Sequence, residues 1–164
     1  MASCSNSDET TDGLDNEPKM EFYLTNAQGE KQTTFNANEE IIFNLKVINN
    51  TAETYEIPYQ EKFLVPQYEA TNIVDVFSIY TSDGNFVGYP WDSMAVTMSK
   101  EIEPGQSINI EVPWFENKQW FYADMLFQKK EKRESLPAGS YYTLCTLYNK
   151  GGKAMVRRLD FEVK

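Results

Sequence analysis

With 164 residues, of which 41% are hydrophobic, the chain is long enough to form one globular domain with an ordinary core. Its formal net charge of −10 argues against general nucleic-acid binding, because contacts with phosphate groups require clustered cations. The sequence contains no histidine, which excludes Ser-His-Asp and Cys-His catalysis as well as the paired-histidine zinc motifs.

The first part of the chain differs in composition from the rest. Ala2-Ser3-Cys4 resembles the end of a bacterial lipoprotein signal, in which small residues precede the cysteine that becomes lipidated. The polar, acidic residues that follow are typical of the tether behind such a cysteine. The alternative is a chance cysteine in a flexible N-terminus. We predict lipid attachment at Cys4, a disordered acidic tether over residues 1–19 and a folded domain over residues 20–164.

Alternation of apolar and polar residues then predicts a series of short strands. The first begins at Met20, and a clearer one follows over residues 40–48, where Phe43, Leu45 and Val47 share one face. The remaining strands outside the central hairpin are predicted at residues 54–57, 94–98, 107–112, 141–148 and 154–163.

The strongest strand pattern lies near the middle of the chain. Residues 72–80 are rich in β-branched and aromatic side chains and contain neither Gly nor Pro, as a buried strand prefers. Asp83-Gly84 supplies the positive-φ position that a tight hairpin needs. We therefore predict a hairpin of residues 72–80 and 86–91 at the centre of the fold, with Phe77 and Ile79 in the core.

Residues 114–135 interrupt this rhythm with an aromatic stretch followed by a basic one. The spacing of Trp120, Asp124 and Gln128 permits one short helix in 117–133. Either the rings complete the core at an open end of the domain, or they form a ligand or partner surface. In the second case the candidate residues are Trp114, Trp120, Tyr122, Lys129, Lys130, Lys132 and Arg133.

Together these patterns predict an all-β fold, an antiparallel β-sandwich of seven to nine strands. The order of motifs resembles an immunoglobulin-like sandwich and, more narrowly, the bacterial intracellular proteinase-inhibitor family. The resemblance implies the sandwich fold and, as an alternative function, the presentation of loop 58–70 or 114–135 to a protease. The matching segments are residues 43–49, the hairpin through Asp83-Gly84, Tyr89-Pro90-Trp91-Asp92, Pro104-Gly105, Trp114 and residues 136–141.

The function expected from these observations is non-enzymatic. We expect a lipid-anchored binding or accessory module of the bacterial cell envelope, an outer-membrane lipoprotein that is periplasmic or surface-exposed. Its expected partners are the membrane, through a lipid on Cys4, and an unknown protein or glycan; no nucleic acid, cofactor or metal is expected. The alternatives are a proteinase inhibitor and a small carbohydrate-binding module, which would need two or three coplanar exposed rings.

Overall fold

The computed structural model of the protein describes residues 17–57, 75–91, 93–96, 100–115, 119–122, 125–128, 134–148 and 153–164. Over these residues the chain forms thirteen strand segments and no helix, and therefore no helix that could span a bilayer. The strands are β1 (Lys19–Thr25), β2 (Thr34–Phe35), β3 (Ile42–Ile48), β4 (Tyr55–Ile57), β5 (Asp75–Thr81), β6 (Phe86–Gly88), β7 (Ser93–Val96), β8 (Lys100–Ile102), β9 (Ser107–Pro113), β10 (Gln119–Tyr122), β11 (Met125–Gln128), β12 (Gly139–Tyr148) and β13 (Ala154–Val163).

Two sheets form the body of the domain. One has the strand order β1-β3-β9, and the other has the order β2-β13-β12-β5-β6. All pairings in the described strands are antiparallel except that of β2 with β13. Two smaller sheets, β4-β8 and β10-β11-β7, complete the described part of the structure. The predicted all-β, immunoglobulin-like antiparallel sandwich is confirmed.

The strands differ from prediction in number and in one local conformation. Several described segments, such as β2, are only two or three residues long, so the structure divides the sandwich more finely than the predicted seven to nine strands. The short helix that the spacing permits in 117–133 is not formed by the residues described there. β10 and β11 instead pair with each other from Gln119↔Gln128 to Tyr122↔Met125. A segment rich in aromatic residues favours an extended backbone, which explains the outcome.

The core lies between the two large sheets. Phe43, Leu45 and Val47 on β3 are fully buried, which confirms the face predicted for that strand. Phe77 and Ile79 on β5 are fully buried as well. The ring centroid of Phe77 lies 5.8 Å from that of Phe22 and 5.7 Å from that of Phe43, so one side chain of the larger sheet meets two rings of the smaller one.

The central hairpin is confirmed and contains a bulge. Gly84, at φ +92°, occupies the predicted turn, where its N–H donates to the Thr81 carbonyl at 2.9 Å. On the other side of β5, Leu144 pairs with Ser78 and Cys145 with Val76, which leaves Phe77 without a register partner. This extra residue adopts φ +64°, a conformation that side chains other than glycine rarely take.

The second half of the domain carries a further immunoglobulin-like feature. Tyr141, near the start of β12, is buried, and its hydroxyl donates a 2.7 Å hydrogen bond to the carbonyl of Pro137. Burial raises the pKa of this phenol. The arrangement resembles the tyrosine corner of immunoglobulin-like domains, in which a tyrosine hydroxyl bonds to backbone a few residues upstream.

Replacing Phe77 tests both the core and the bulge. Phe77→Ala should lower the free energy of unfolding by about 3–5 kcal/mol, because an enclosed ring leaves a cavity. In an ordinary strand glycine would be worse than alanine by roughly 0.5–1 kcal/mol, but at a positive φ Phe77→Gly should be at least as stable as Phe77→Ala. Denaturant unfolding measures both. Val156→Ala, at an exposed site on β13, is the control and should change the stability by less than about 0.5 kcal/mol. A loss below about 1 kcal/mol for Phe77→Ala would contradict the core assignment.

Candidate functional site

The structure places Trp114 in the core. Its side chain is 5% exposed and packs against the ring of Phe43 with centroids 6.5 Å apart. The indole Nε1–H donates a 2.8 Å hydrogen bond to the backbone carbonyl of Glu134. Trp114 therefore contributes packing and a hydrogen bond inside the domain rather than an open face for a ligand.

The other predicted surface residues are only partly described. Trp120 and Tyr122 belong to β10, where their backbones pair with Phe127 and Met125 of β11, and β11 in turn pairs with β7. β10 and β11 therefore form a small three-stranded sheet together with β7. The predicted sites that lie outside the described residues are Cys4, Lys129, Lys130, Lys132, Arg133 and the loop 58–70.

A different set of rings forms a continuous row on the outer face of the five-stranded sheet. Tyr142 on β12 is paired in register with Tyr80 on β5, and the two rings stack with centroids 5.1 Å apart and planes 12° apart. On the next strand, Phe86 is paired with Tyr80 and meets its ring edge-on at 5.4 Å. The adjacent residues Tyr141 and Thr143 are buried, so these rings stand on the side of the sheet away from the core.

Beyond β6 the row returns to the interior. The ring of Tyr89 meets that of Phe86 edge-on at 5.4 Å and stacks on Trp91 at 4.3 Å. Trp91 is buried, and its Nε1–H donates a 3.0 Å hydrogen bond to the carbonyl of Val76, next to the bulge in β5. We call this set the outer aromatic row; its members are Tyr142, Tyr80, Phe86, Tyr89 and Trp91.

A cation covers the other end of the outer aromatic row. The guanidinium of Arg158 lies 3.9 Å from the centre of the Tyr142 ring, the geometry of a cation–π contact. Asp160 accepts hydrogen bonds from Nε and Nη2 of the same guanidinium, at 3.1 and 2.6 Å. The hydrogen bond that Arg158 donates to Asp160 raises the pKa of Arg158 above its ordinary value. A ring of this row therefore already accommodates a cation that a carboxylate holds in place.

The most exposed part of the row lies at the edge strand β6. Phe86 is 55% exposed and its neighbour Val87 is 40% exposed, whereas Tyr80 and Tyr142 are half-buried. Of the large hydrophobic side chains described as exposed, these two lie on β6 and the third, Val156, lies on β13. An exposed aromatic ring that packs against less exposed rings provides apolar contact area and is held in place by its neighbours.

The outer face of the three-stranded sheet has a different chemistry. Lys19 forms a 3.0 Å ion pair with Glu21, and this contact lowers the pKa of the Glu21 carboxyl. Lys46 is paired in register with Glu21, and the ammonium of Lys31 lies 4.0 Å from the centre of the Tyr23 ring. Charged side chains cover this face, whereas aromatic rings cover part of the outer face of the five-stranded sheet.

The side chains of the outer aromatic row can bind a partner through non-covalent contacts. The row offers ring edges, one exposed ring and a guanidinium held by a carboxylate. In the described part of the chain, no group of three or more His, Cys, Asp or Glu side chains is placed to hold a metal ion.

The outer aromatic row is not among the sites predicted from the sequence. Tyr80 belongs to a strand predicted to be buried, but it alternates with the buried Ile79 and therefore faces outward. Tyr142 lies between two inward-facing residues in the same way. Outward aromatic residues in two strands are the available signal, but only the strand register shows that the two rings meet.

Comparison with known proteins adds no argument about the fold or the function of this chain. No family model matches the chain, and no curated protein matches it. Among solved structures, the X-ray structure of the Northeast Structural Genomics Consortium target SoR45 aligns with 92% of this chain and 90% of that chain, with 14% sequence identity and a TM-score of 0.40. A likeness at this level carries no functional information.

The role of Trp114 can be tested by a substitution that removes its hydrogen bond and shortens its side chain but keeps an aromatic ring. Trp114→Phe should keep an aromatic ring in the core but leave the Glu134 carbonyl without its indole donor. We expect the free energy of unfolding, measured in denaturant, to fall by about 1–3 kcal/mol. Partner binding should be unchanged. Reduced binding with unaltered stability would instead assign Trp114 to a recognition surface.

Proposed function

We propose that this protein is a non-enzymatic, lipid-anchored binding module of the bacterial cell envelope, and that its partner is a protein that contacts the outer aromatic row. The observation that carries the proposal is the 55% exposed ring of Phe86 at the edge of a row of packed aromatic side chains. Tyrosine, phenylalanine and arginine are the residues enriched at the centres of protein interfaces.

The orientation of the rings favours a protein over a glycan. A pyranose ring stacks on an open aromatic face, and a sugar platform needs two or three such faces in one plane. Tyr80 and Tyr142 cover each other, and Arg158 covers Tyr142 from another direction. The half-buried rings therefore offer edges rather than a flat platform, which suits the irregular surface of a protein.

Ala2-Ser3-Cys4 and the acidic residues that follow support the proposed location in the cell envelope. A single acyl chain holds a protein on a membrane only marginally, since each buried CH₂ contributes about 0.8 kcal/mol. A lipoprotein cysteine carries more than one chain, so Cys4 would provide stable anchoring to an outer membrane. The binding domain would then act at the membrane surface.

Lipid attachment can be tested by labelling. When the chain is expressed behind a lipoprotein signal peptide in a Gram-negative host, labelled palmitate should enter the protein. The label should be lost in Cys4→Ala. Cys145→Ala is the matched control and should keep it, because Cys145 is buried in β12 and inaccessible to acylation. Equal labelling of Cys4→Ala and the unaltered chain would refute the anchor.

Partner binding can be tested by affinity capture from detergent-solubilised envelopes. The unaltered chain should retain a specific protein, and Phe86→Ala should lose most of it because an exposed anchor ring is removed. Val156→Ala, which shortens another exposed hydrophobic side chain, is the control and should capture the same protein. Thermal melting of each variant shows whether the fold is intact. Full capture by a folded Phe86→Ala would contradict the assigned surface.

A further inference from the structure

The outer aromatic row reaches the edge of the five-stranded sheet at β6. This strand is the last in the sheet order and pairs with β5 through Tyr80↔Phe86 and Ile79↔Gly88. No strand in the described part of the chain pairs with its other side. At Gly88, no described atom lies within 4 Å of the position that a Cβ would occupy. Among the described residues, none therefore fills the space at this end of the strand.

The residues of β6 do not protect this edge. Edge strands are commonly protected against pairing by lysine, proline or inward-pointing charge. β6 has the sequence Phe-Val-Gly, without a charge or a proline, and its first two side chains are exposed. An unprotected apolar edge is a template to which an extended peptide can add a strand.

The surroundings of β6 favour a positively charged partner. The hairpin that leads into β6 carries the exposed Asp83, whose carboxylate accepts hydrogen bonds from Thr81 Oγ1 and, at 2.7 Å, from Asn85 Nδ2. The chain as a whole has a net charge of −10. An incoming cation would therefore meet a negative field on its approach.

The same row shows how a cation can be held. At its other end, Arg158 lies over the ring of Tyr142 while Asp160 holds the guanidinium. β6 offers the same two kinds of group, the exposed ring of Phe86 and, three positions earlier in the chain, the carboxylate of Asp83. The cationic group of an arginine or lysine from a partner could lie against the ring of Phe86, as the guanidinium of Arg158 lies against the ring of Tyr142.

We propose that β6 is the docking strand for an extended, basic segment of the partner protein. The segment adds to the sheet beside Phe86–Gly88 and lays a cationic side chain against the Phe86 ring. This inference rests on the proposed function and specifies the partner's chemistry. Because β6 is only three residues long, main-chain pairing alone is limited, and contacts with Phe86 supply much of the affinity.

Synthetic peptides test this inference on the full chain. The main probe is a short peptide of alternating threonine and arginine, which favours an extended backbone and carries cations on one face. A second probe replaces the arginines with glutamates. A third keeps every arginine but replaces alternate threonines with proline, which removes the main-chain donors that strand pairing requires. Fluorescence anisotropy gives the dissociation constant for each peptide.

The expected result is that the threonine–arginine peptide binds at least about tenfold more tightly than either of the other probes. It should also protect the backbone amides of β6 from hydrogen exchange. Phe86→Ala should weaken this binding by about tenfold or more. Asp83→Asn should weaken it more than Glu103→Gln, which removes the same charge at the turn between β8 and β9.

Any one of three results would overturn the inference. Equal binding of the proline-containing peptide would mean that net charge alone attracts the probe. Unchanged binding by Phe86→Ala, with no exchange protection in β6, would place the contact elsewhere. If no peptide binds while Phe86→Ala still loses the envelope protein in affinity capture, the docking strand is wrong and the proposed function stands. If Phe86→Ala also keeps that protein, both are wrong.

Discussion

The packing of the two large sheets depends on the ring of Phe77, which a β-bulge holds in the interior at φ +64°. A backbone in this region costs on the order of 1–3 kcal/mol and persists only where the surrounding structure compensates. Here the compensation is a fully buried ring that contacts Phe22 and Phe43 of the opposite sheet. The bulge also leaves both Val76 and Phe77 buried and returns Tyr80 to the outer face. β5 thus contributes Phe77 and Ile79 to the core and Tyr80 to the outer aromatic row.

Local sequence patterns were sufficient for the longer strands and the central turn, but not for the short strands β8, β10 and β11. Alternation identified the buried face of β3, and Asp83-Gly84 identified the hairpin because few residues tolerate a positive φ. Helical spacing in 117–133 gave a wrong indication, because the aromatic residues there fit a helical pattern as well as a strand. Pairing between β10 and β11 favours the strands. The outer aromatic row could not be predicted in the same way. Tyr142 lies 62 positions after Tyr80, and their contact depends on a register that the bulge shifts.

A buried asparagine fixes the chain at the end of β3. Asn49 follows β3 and is fully buried, yet its side-chain amide donates to the carbonyls of Glu53 and Ile102 at 2.8 and 2.6 Å. Its side-chain oxygen accepts from the N–H and the hydroxyl of Thr51. Because every polar group of this side chain is satisfied, its burial stabilises the local structure. The loop after β3 is therefore fixed by polar contacts, while β6 presents apolar side chains to solvent.

The pairing of β2 with β13 has a consequence for the way the chain reaches its folded state. It joins Thr34 to Glu162 and Phe35 to Val163, residues that lie 128 positions apart. The five-stranded sheet cannot be completed before residues 154–163 have been synthesised, because β13 lies between β2 and β12. Folds dominated by such distant pairings assemble in roughly milliseconds to seconds, far more slowly than helical bundles. If the chain is exported to the cell envelope, as we propose, slow assembly would keep it unfolded for translocation, and chaperones would have to shield its apolar strands until then.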